Sequence, residues 1–132
     1  MGANSRNKGA AFERDIARML FEELGMKFAR DLRQYQTSDL GDLQCEDPTF
    51  PFVIECKRYA ASGSNRMKPE WWLQVDQAAN VARKMPCLIY KYDRQPIRCV
   101  LPMGVLFNDN HGHLVEMDFD AMVYVFREIW ND

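Results

Sequence analysis

Early in the chain, apolar residues recur every fourth position: Phe12, Ile16, Leu20 and Leu24, with Met19 adding an i+3 contact. That spacing predicts an amphipathic helix. Asn7 or Ser5 supplies its N-cap, and Gly25 stands where a left-handed C-terminal residue belongs. Ala10, Ala11 and Ala17 allow close approach to a sheet, and Glu13 falls on the border of the apolar stripe rather than opposite it. "MKFARDLRQYQ" reads as a short strand and loop. "DLQCE" and "FPFVIECKRY" read as two strands with "DPTFP" as the turn, which pairs Cys45 or Glu46 with the region before Glu55. After the polar loop "AASGSNRMKP", Pro69 opens a second helix, "EWWLQVDQAANVARK", with Trp72, Val75, Ala79 and Ala82 on one stripe. "PCLIYKY" and "QPIRCVLP" are strands separated by the turn "DRQP", and "NDNHGH" is a further turn. Asp118 caps a C-terminal helix, "FDAMVYVFREIW", whose β-branched and aromatic residues leave a strand as the alternative. The order helix, strands, helix, strands, helix predicts an α/β fold with a central mixed sheet, in one domain spanning residues 1–132.

One stretch breaks the apolar pattern. Phe52, Val53 and Ile54 run without a turn signal into Glu55, Cys56, Lys57 and Arg58. Charged residues are rarely buried unless paired or bound to a metal. Side chains at i and i+2 of a strand share a face, so Glu55 and Lys57 project together while Cys56 enters the opposite, apolar layer. If "DLQCE" pairs with "VIECK", Asp42 reaches the same edge. Two converging carboxylates repel and need a cation. Carboxylates with a backbone carbonyl, here that of Cys56, form the hard-oxygen set that suits Mg²⁺, with Mn²⁺ as substitute. Lys57 beside that set is placed to activate or orient a water, or to neutralise charge on a scissile phosphate. Glu13 aims a third carboxylate at the same place, and as a ligand at the strand start Asp42 is preferred over Asp39.

Charge distribution fits this picture. The net charge is −2, which argues against indiscriminate nucleic-acid binding. Residues 34–56 carry five acids and no bases, whereas residues 57–98 carry nine bases and three acids. An acidic centre between basic segments suits an enzyme that holds cations and acts on a polyanion. Arg6, Lys8, Arg30 and Arg33 flank the acidic cluster and, with Arg58 and Lys68, are candidates for phosphate contacts. The cysteines Cys45, Cys56, Cys87 and Cys99 form no CxxC pair and read as reduced thiols. His111 and His113 beside Asp109 read as turn residues rather than a metal site. Trp71 and Trp72 face different directions, one toward the core and the other toward a dimer surface or DNA. No apolar run approaches the ~18 residues of a membrane span. The first fifteen residues lack a signal-peptide core, so the expected location is cytoplasmic.

Gly41-Asp42, twelve intervening residues, then Glu55-Cys56-Lys57 resembles the motif of the PD-(D/E)xK nuclease superfamily, with Glu13 matching the acidic residue many members carry on the first helix. Gly41 stands in place of the motif's proline, a backbone position rather than a ligand. "SRNKGAAFERDIARML" and "RQYQTSDLGD" resemble archaeal and phage Holliday-junction resolvases over about residues 5–60. The resemblance implies a restriction-endonuclease-like fold and Mg²⁺-dependent cleavage of branched double-stranded DNA by a homodimer, with no membrane partner. It implies Glu13, Asp42 and Glu55 as ligands and Lys57 as the catalytic lysine. It also places Ser38 near the scissile strand and Gln77 close to the site. A restriction-like or repair nuclease acting on linear or flapped DNA is the alternative within the same site chemistry. A catalytically silent DNA-binding module of the same fold is the alternative outside it.

Overall fold

A computed structural model describes residues 2–30, 42–61 and 63–130, with side chains from residue 8 onward. Helix α1 spans Gly2–Leu24, followed by β1 (Phe28–Arg30), β2 (Leu43–Cys45) and β3 (Phe52–Tyr59). Helix α2 (Pro69–Ala82) leads to β4 (Met85–Tyr92) and β5 (Arg98–Pro102). A 3-10 turn at Met103–Val105, strand β6 (Leu114–Met117) and helix α3 (Phe119–Trp130) complete the order. The six strands lie in sequence order β1 to β6. Every neighbouring pair is antiparallel except β3 and β4, which α2 connects as a parallel crossover. This is the expected α/β fold, with a mixed sheet flanked by helices.

Strand alternation sorts the core into two layers. Phe52, Ile54 and Cys56 of β3, Cys87 and Ile89 of β4, and Cys99 and Leu101 of β5 pack with α1 and α3. Val53, Leu88, Tyr90, Tyr92 and Val100 pack on the other face with Trp71, Val75, Ala78 and Ala79 of α2. The central strands are therefore apolar on both sides, as sheets covered by helices on both faces require. The α1 stripe behaves as its spacing predicts: Phe12, Ile16 and Leu20 are buried. Gly25 has φ +72° and its N–H bonds the Phe21 carbonyl, closing the helix. Phe50, in the turn before β3, makes ring contacts with Phe28, Phe52, Phe126 and Trp130 and joins β1, β3 and α3. All four cysteines are free thiols.

The structure corrects several local expectations. Helix α1 runs back to Gly2, so Ser5 and Asn7 lie inside it and do not cap it. Nothing in this stretch breaks a helix outright, because Gly9 costs only about 1 kcal/mol there. Trp71, not Trp72, heads the buried stripe of α2, where Val75, Ala78 and Ala79 follow it. The face that packs on Val53, Leu88 and Tyr90 of the sheet carries these four residues, which leaves Trp72 and Ala82 on the flank. Cys45 pairs with Phe28 of β1, and the β2–β3 ladder instead joins Leu43 to Ile54. Strand β6 has no counterpart in the sequence pattern: four residues with Glu116 on one face and a turn just before it give too weak an alternation. The C-terminal segment is a helix, and the Asp118 carboxylate accepts from the Ala121 N–H at 2.8 Å. Among the described residues no helix is long and apolar enough to cross a membrane.

Candidate active site

Strand β3 generates the site through its alternation. Glu55 and Lys57 follow Val53 onto the α2 side of the sheet, whereas Cys56 stays in the α1–α3 layer. Lys57 does not trail into solvent: its Nζ donates to Oε1 of Gln74 on α2 at 2.9 Å.

Strand β2 supplies the second carboxylate. The register pairs Leu43 with Ile54, and one residue further it sets Asp42 beside Glu55. The Asp42 N–H donates to the Ile54 carbonyl at 2.8 Å. The ladder then changes character, because the Cys56 N–H donates to Oδ2 of Asp42 at 2.7 Å rather than to a backbone carbonyl. The N–H and C=O of one strand residue point to the same edge. The Cys56 carbonyl therefore faces the Asp42 side as well.

Glu13 approaches from α1, on the other face of the sheet. It is buried, and its Oε1 accepts from Nε of Arg30 at 2.8 Å. Its charge acts on both Asp42 and Glu55. Glu13 therefore lies within electrostatic range of Asp42 and Glu55 while paired with Arg30.

Burial and mutual repulsion govern the protonation of this group. Glu55 is only 2% exposed. Burial first, then the charge of Asp42 and the hydrogen bond to it, push the Glu55 carboxyl up to about 9. Asp42 is also raised by burial, with the hydrogen bonds from Glu55 and the Cys56 N–H pulling the other way. Glu55 therefore keeps its proton at neutral pH, and the two neighbouring carboxyls do not titrate independently. Burial raises Glu13 too, with Arg30 countering it. The Cys56 thiol is held well above its ordinary value by burial and the three neighbouring carboxylates, so it is no thiolate ligand.

One atom stands out in this balance. Oε2 of Glu55 is buried and, among the described residues, has no hydrogen-bond partner. A buried carboxyl oxygen left without a donor costs free energy unless something positive takes its place. Asp42, Glu55 and the Cys56 carbonyl are all hard oxygen donors, the set that suits Mg²⁺ or Mn²⁺ rather than zinc. A dication would substitute for the Glu55 proton. Among the described residues no three His, Cys, Asp or Glu side chains stand as a complete ligand cluster; Asp42 and Glu55 form the pair, and Glu13 is engaged by Arg30.

The remaining sequence candidates fall at different distances from this centre. Lys8 and Arg58 are brought together by Asp93, which accepts from Lys8 Nζ at 2.8 Å and Arg58 Nε at 2.9 Å. Lys68 Nζ lies 5.5 Å from the Tyr59 ring centroid. The Arg6 side chain, Arg33, Ser38, Asp39 and Gly41 lie outside the described residues. Gln77 is exposed on α2, and Gln74, one turn earlier, is the residue that meets Lys57. Sequence reasoning missed Gln74 and Asp93. Both contacts join residues far apart in the chain, and no local spacing signals them. His113 binds Asp109 at 2.8 Å within its own turn, as expected of a turn residue.

A family model described as phage putative PDDEXK endonuclease matches residues 4–126. The chain belongs to this family. As a PDDEXK endonuclease it is a nuclease, its substrate is DNA, and its kind generally works with divalent cations. Among solved structures, this PDDEXK endonuclease resembles Archaeoglobus fulgidus Hjc, a Holliday junction resolvase from an archaeal hyperthermophile. The TM-score is 0.57 at 15% identity, covering 88% of this chain and 98% of Hjc. That likeness establishes a shared restriction-endonuclease-like fold. A comparison with curated proteins gives no match.

Proposed function

We propose that this PDDEXK endonuclease is a divalent-cation-dependent, structure-specific enzyme that resolves four-way DNA junctions by paired phosphodiester hydrolysis. The observation that carries the chemistry is the buried Asp42–Glu55 pair, with Glu55 Oε2 unpartnered among the described residues, beside an anchored Lys57. Asp42, Glu55 and the Cys56 carbonyl would hold Mg²⁺, or Mn²⁺ in its place, and Glu13 would join them from α1. When bound, the cation supplies Lewis-acid stabilisation of phosphate charge and lowers the pKa of a coordinated water.

The chain's own residues do the rest. Lys57, steadied by Gln74, places a positive charge at the site, where it neutralises the scissile phosphate and orients the attacking water. Arg30 holds Glu13 in place. Lys8 and Arg58, clamped side by side by Asp93, are set to grip flanking phosphates, with Arg6, Arg33, Ser38 and Lys68 as further contacts.

Choice of a four-way junction is supported by the likeness to Hjc and by the resolvase-like N-terminal segment. Symmetric cuts need two sites related by a two-fold axis, hence a homodimer. Labelled four-way junction, flap and linear duplex, incubated with Mg²⁺ and with chelator, test the reading. Junction cleavage in Mg²⁺ alone is expected. Equal cutting of linear duplex would remove the junction claim and leave a restriction-like or repair nuclease. No cutting of any substrate would leave a DNA-binding module.

A further inference from the structure

Tyr59 is the next residue after Glu55 and Lys57 on their face of β3, and at the strand rise of ~3.3 Å per residue it sits ~6.6 Å beyond Lys57. Its environment differs from that of the neighbouring tyrosines. Tyr90 and Tyr92 are buried, and their hydroxyls bond Glu116 and the Arg66 carbonyl. Tyr59 is 42% exposed, and among the described residues its hydroxyl has no hydrogen-bond partner. Yet its ring is not loose. It stacks on the buried Trp71 ring at 5.2 Å and 8° between planes, and Trp71 leans in turn on Tyr90 and Tyr92.

One ammonium group sits by this ring. Lys68 Nζ lies 5.5 Å from the Tyr59 centroid and 5.7 Å from that of Trp71. Lys68 is held there because its loop is pinned from behind. The Tyr92 hydroxyl donates to the Arg66 carbonyl at 2.7 Å, and Arg98 Nη1 donates to the Asn65 carbonyl at 2.7 Å. A rigidly backed, half-exposed aromatic beside a lysine is the arrangement that stacks a base while its backbone is held electrostatically.

We propose that Tyr59, backed by Trp71 and flanked by Lys68, is the platform on which an unpaired base close to the scissile phosphate stacks. This rests on the nuclease reading of Asp42, Glu55 and Lys57 and deepens it. It makes Tyr59 a determinant of DNA structure preference, because a fully paired duplex offers no free base face at that position.

The test uses the whole protein in chelator, so that binding is measured without cleavage. Two labelled DNAs of equal length are compared, one fully paired and one branched with 2-aminopurine at unpaired positions by the branch. Wild type is expected to quench at least one unpaired probe. Tyr59→Leu should lose that quenching and weaken branched-DNA binding about 5- to 150-fold, the range one base–aromatic stack supplies. Paired-duplex binding should change less than about twofold, and Tyr59→Phe should behave as wild type on both DNAs. Equal loss on both DNAs, or no loss on either, overturns the platform. Wild type that cleaves with Mg²⁺ but quenches no probe overturns it independently of any variant and leaves the nuclease intact. Wild type that neither binds nor cleaves overturns both.

Discussion

Asp42 stands beside Glu55 across the β2–β3 pair, and the Cys56 N–H donates to the Asp42 carboxylate at 2.7 Å. Asp42 is thereby anchored to β3, and among the described residues Glu55 is left with one oxygen that nothing partners. This imbalance sits in an otherwise well-packed sheet and sets the site's response to pH, cations and substitution.

Glu55 binds its proton more tightly in the folded chain, at about 9, than at the ordinary 4.5 of an unfolded one. Between those values the folded state keeps a proton that the unfolded state releases, so stability falls as pH rises across that window. Below it both states are protonated and above it neither is. Asp42, shifted upward as well, adds in the same direction. In chelator, the melting temperature should therefore decline from pH 5 to pH 9. Glu55→Gln should flatten the decline; an unchanged slope would place the proton elsewhere.

The same substitution should abolish cleavage while leaving DNA binding within a few-fold, because in the proposed mechanism the carboxylate would hold a cation rather than the DNA backbone. Gel-shift and cleavage assays on one preparation separate the two effects.

A cation that replaces the Glu55 proton should bind more weakly as pH falls. Mn²⁺ is expected to raise the melting temperature of the wild type at pH 8 and to do so less at pH 6. Asp42→Asn should remove the shift at both, as read by calorimetric titration and thermal melts without any DNA.

Lys57→Ala should lower the cleavage rate about 10²-fold or more, the scale of a lost positioned catalytic group. Gln74→Ala, which only frees Lys57 from its 2.9 Å bond, should cost about 10- to 10²-fold. The double substitution should be no worse than Lys57→Ala alone, since both act through one ammonium.

Phe50→Ala should destabilise the fold by about 3–5 kcal/mol, as expected for a large ring removed from a core. It lies in a turn, but four rings from β1, β3 and α3 close on it. Urea unfolding measures the loss.

Periodicity carries far in this chain. The four-residue repeat of Phe12, Ile16 and Leu20 and the alternation of Val53, Ile54, Glu55, Cys56 and Lys57 are local signals, and each predicts its element and its facing residues. They suffice to name Glu13, Asp42, Glu55 and Lys57 as one candidate group. Local signals fail where competing phases are close in quality. Trp71 and Trp72 are both plausible heads of a helical stripe, and packing of α2 on the sheet resolves the choice. The edge strand β6 fails for a related reason, since its pairing with β5 supplies what its own pattern lacks.

Residue types, spacing and face follow from the chain alone, because backbone geometry ties them to positions a few residues apart. What depends on distant packing does not. Gln74 meets Lys57 because α2 crosses the β3 face, and Asp93 joins Lys8 to Arg58 because β4 ends beside β3 and α1. The shift of Glu55 belongs to the same class: two carboxylates thirteen residues apart look ordinary in sequence, and only their burial side by side raises the proton affinity of Glu55. Desolvation and pairing are properties of assembled layers, so no window of sequence contains them.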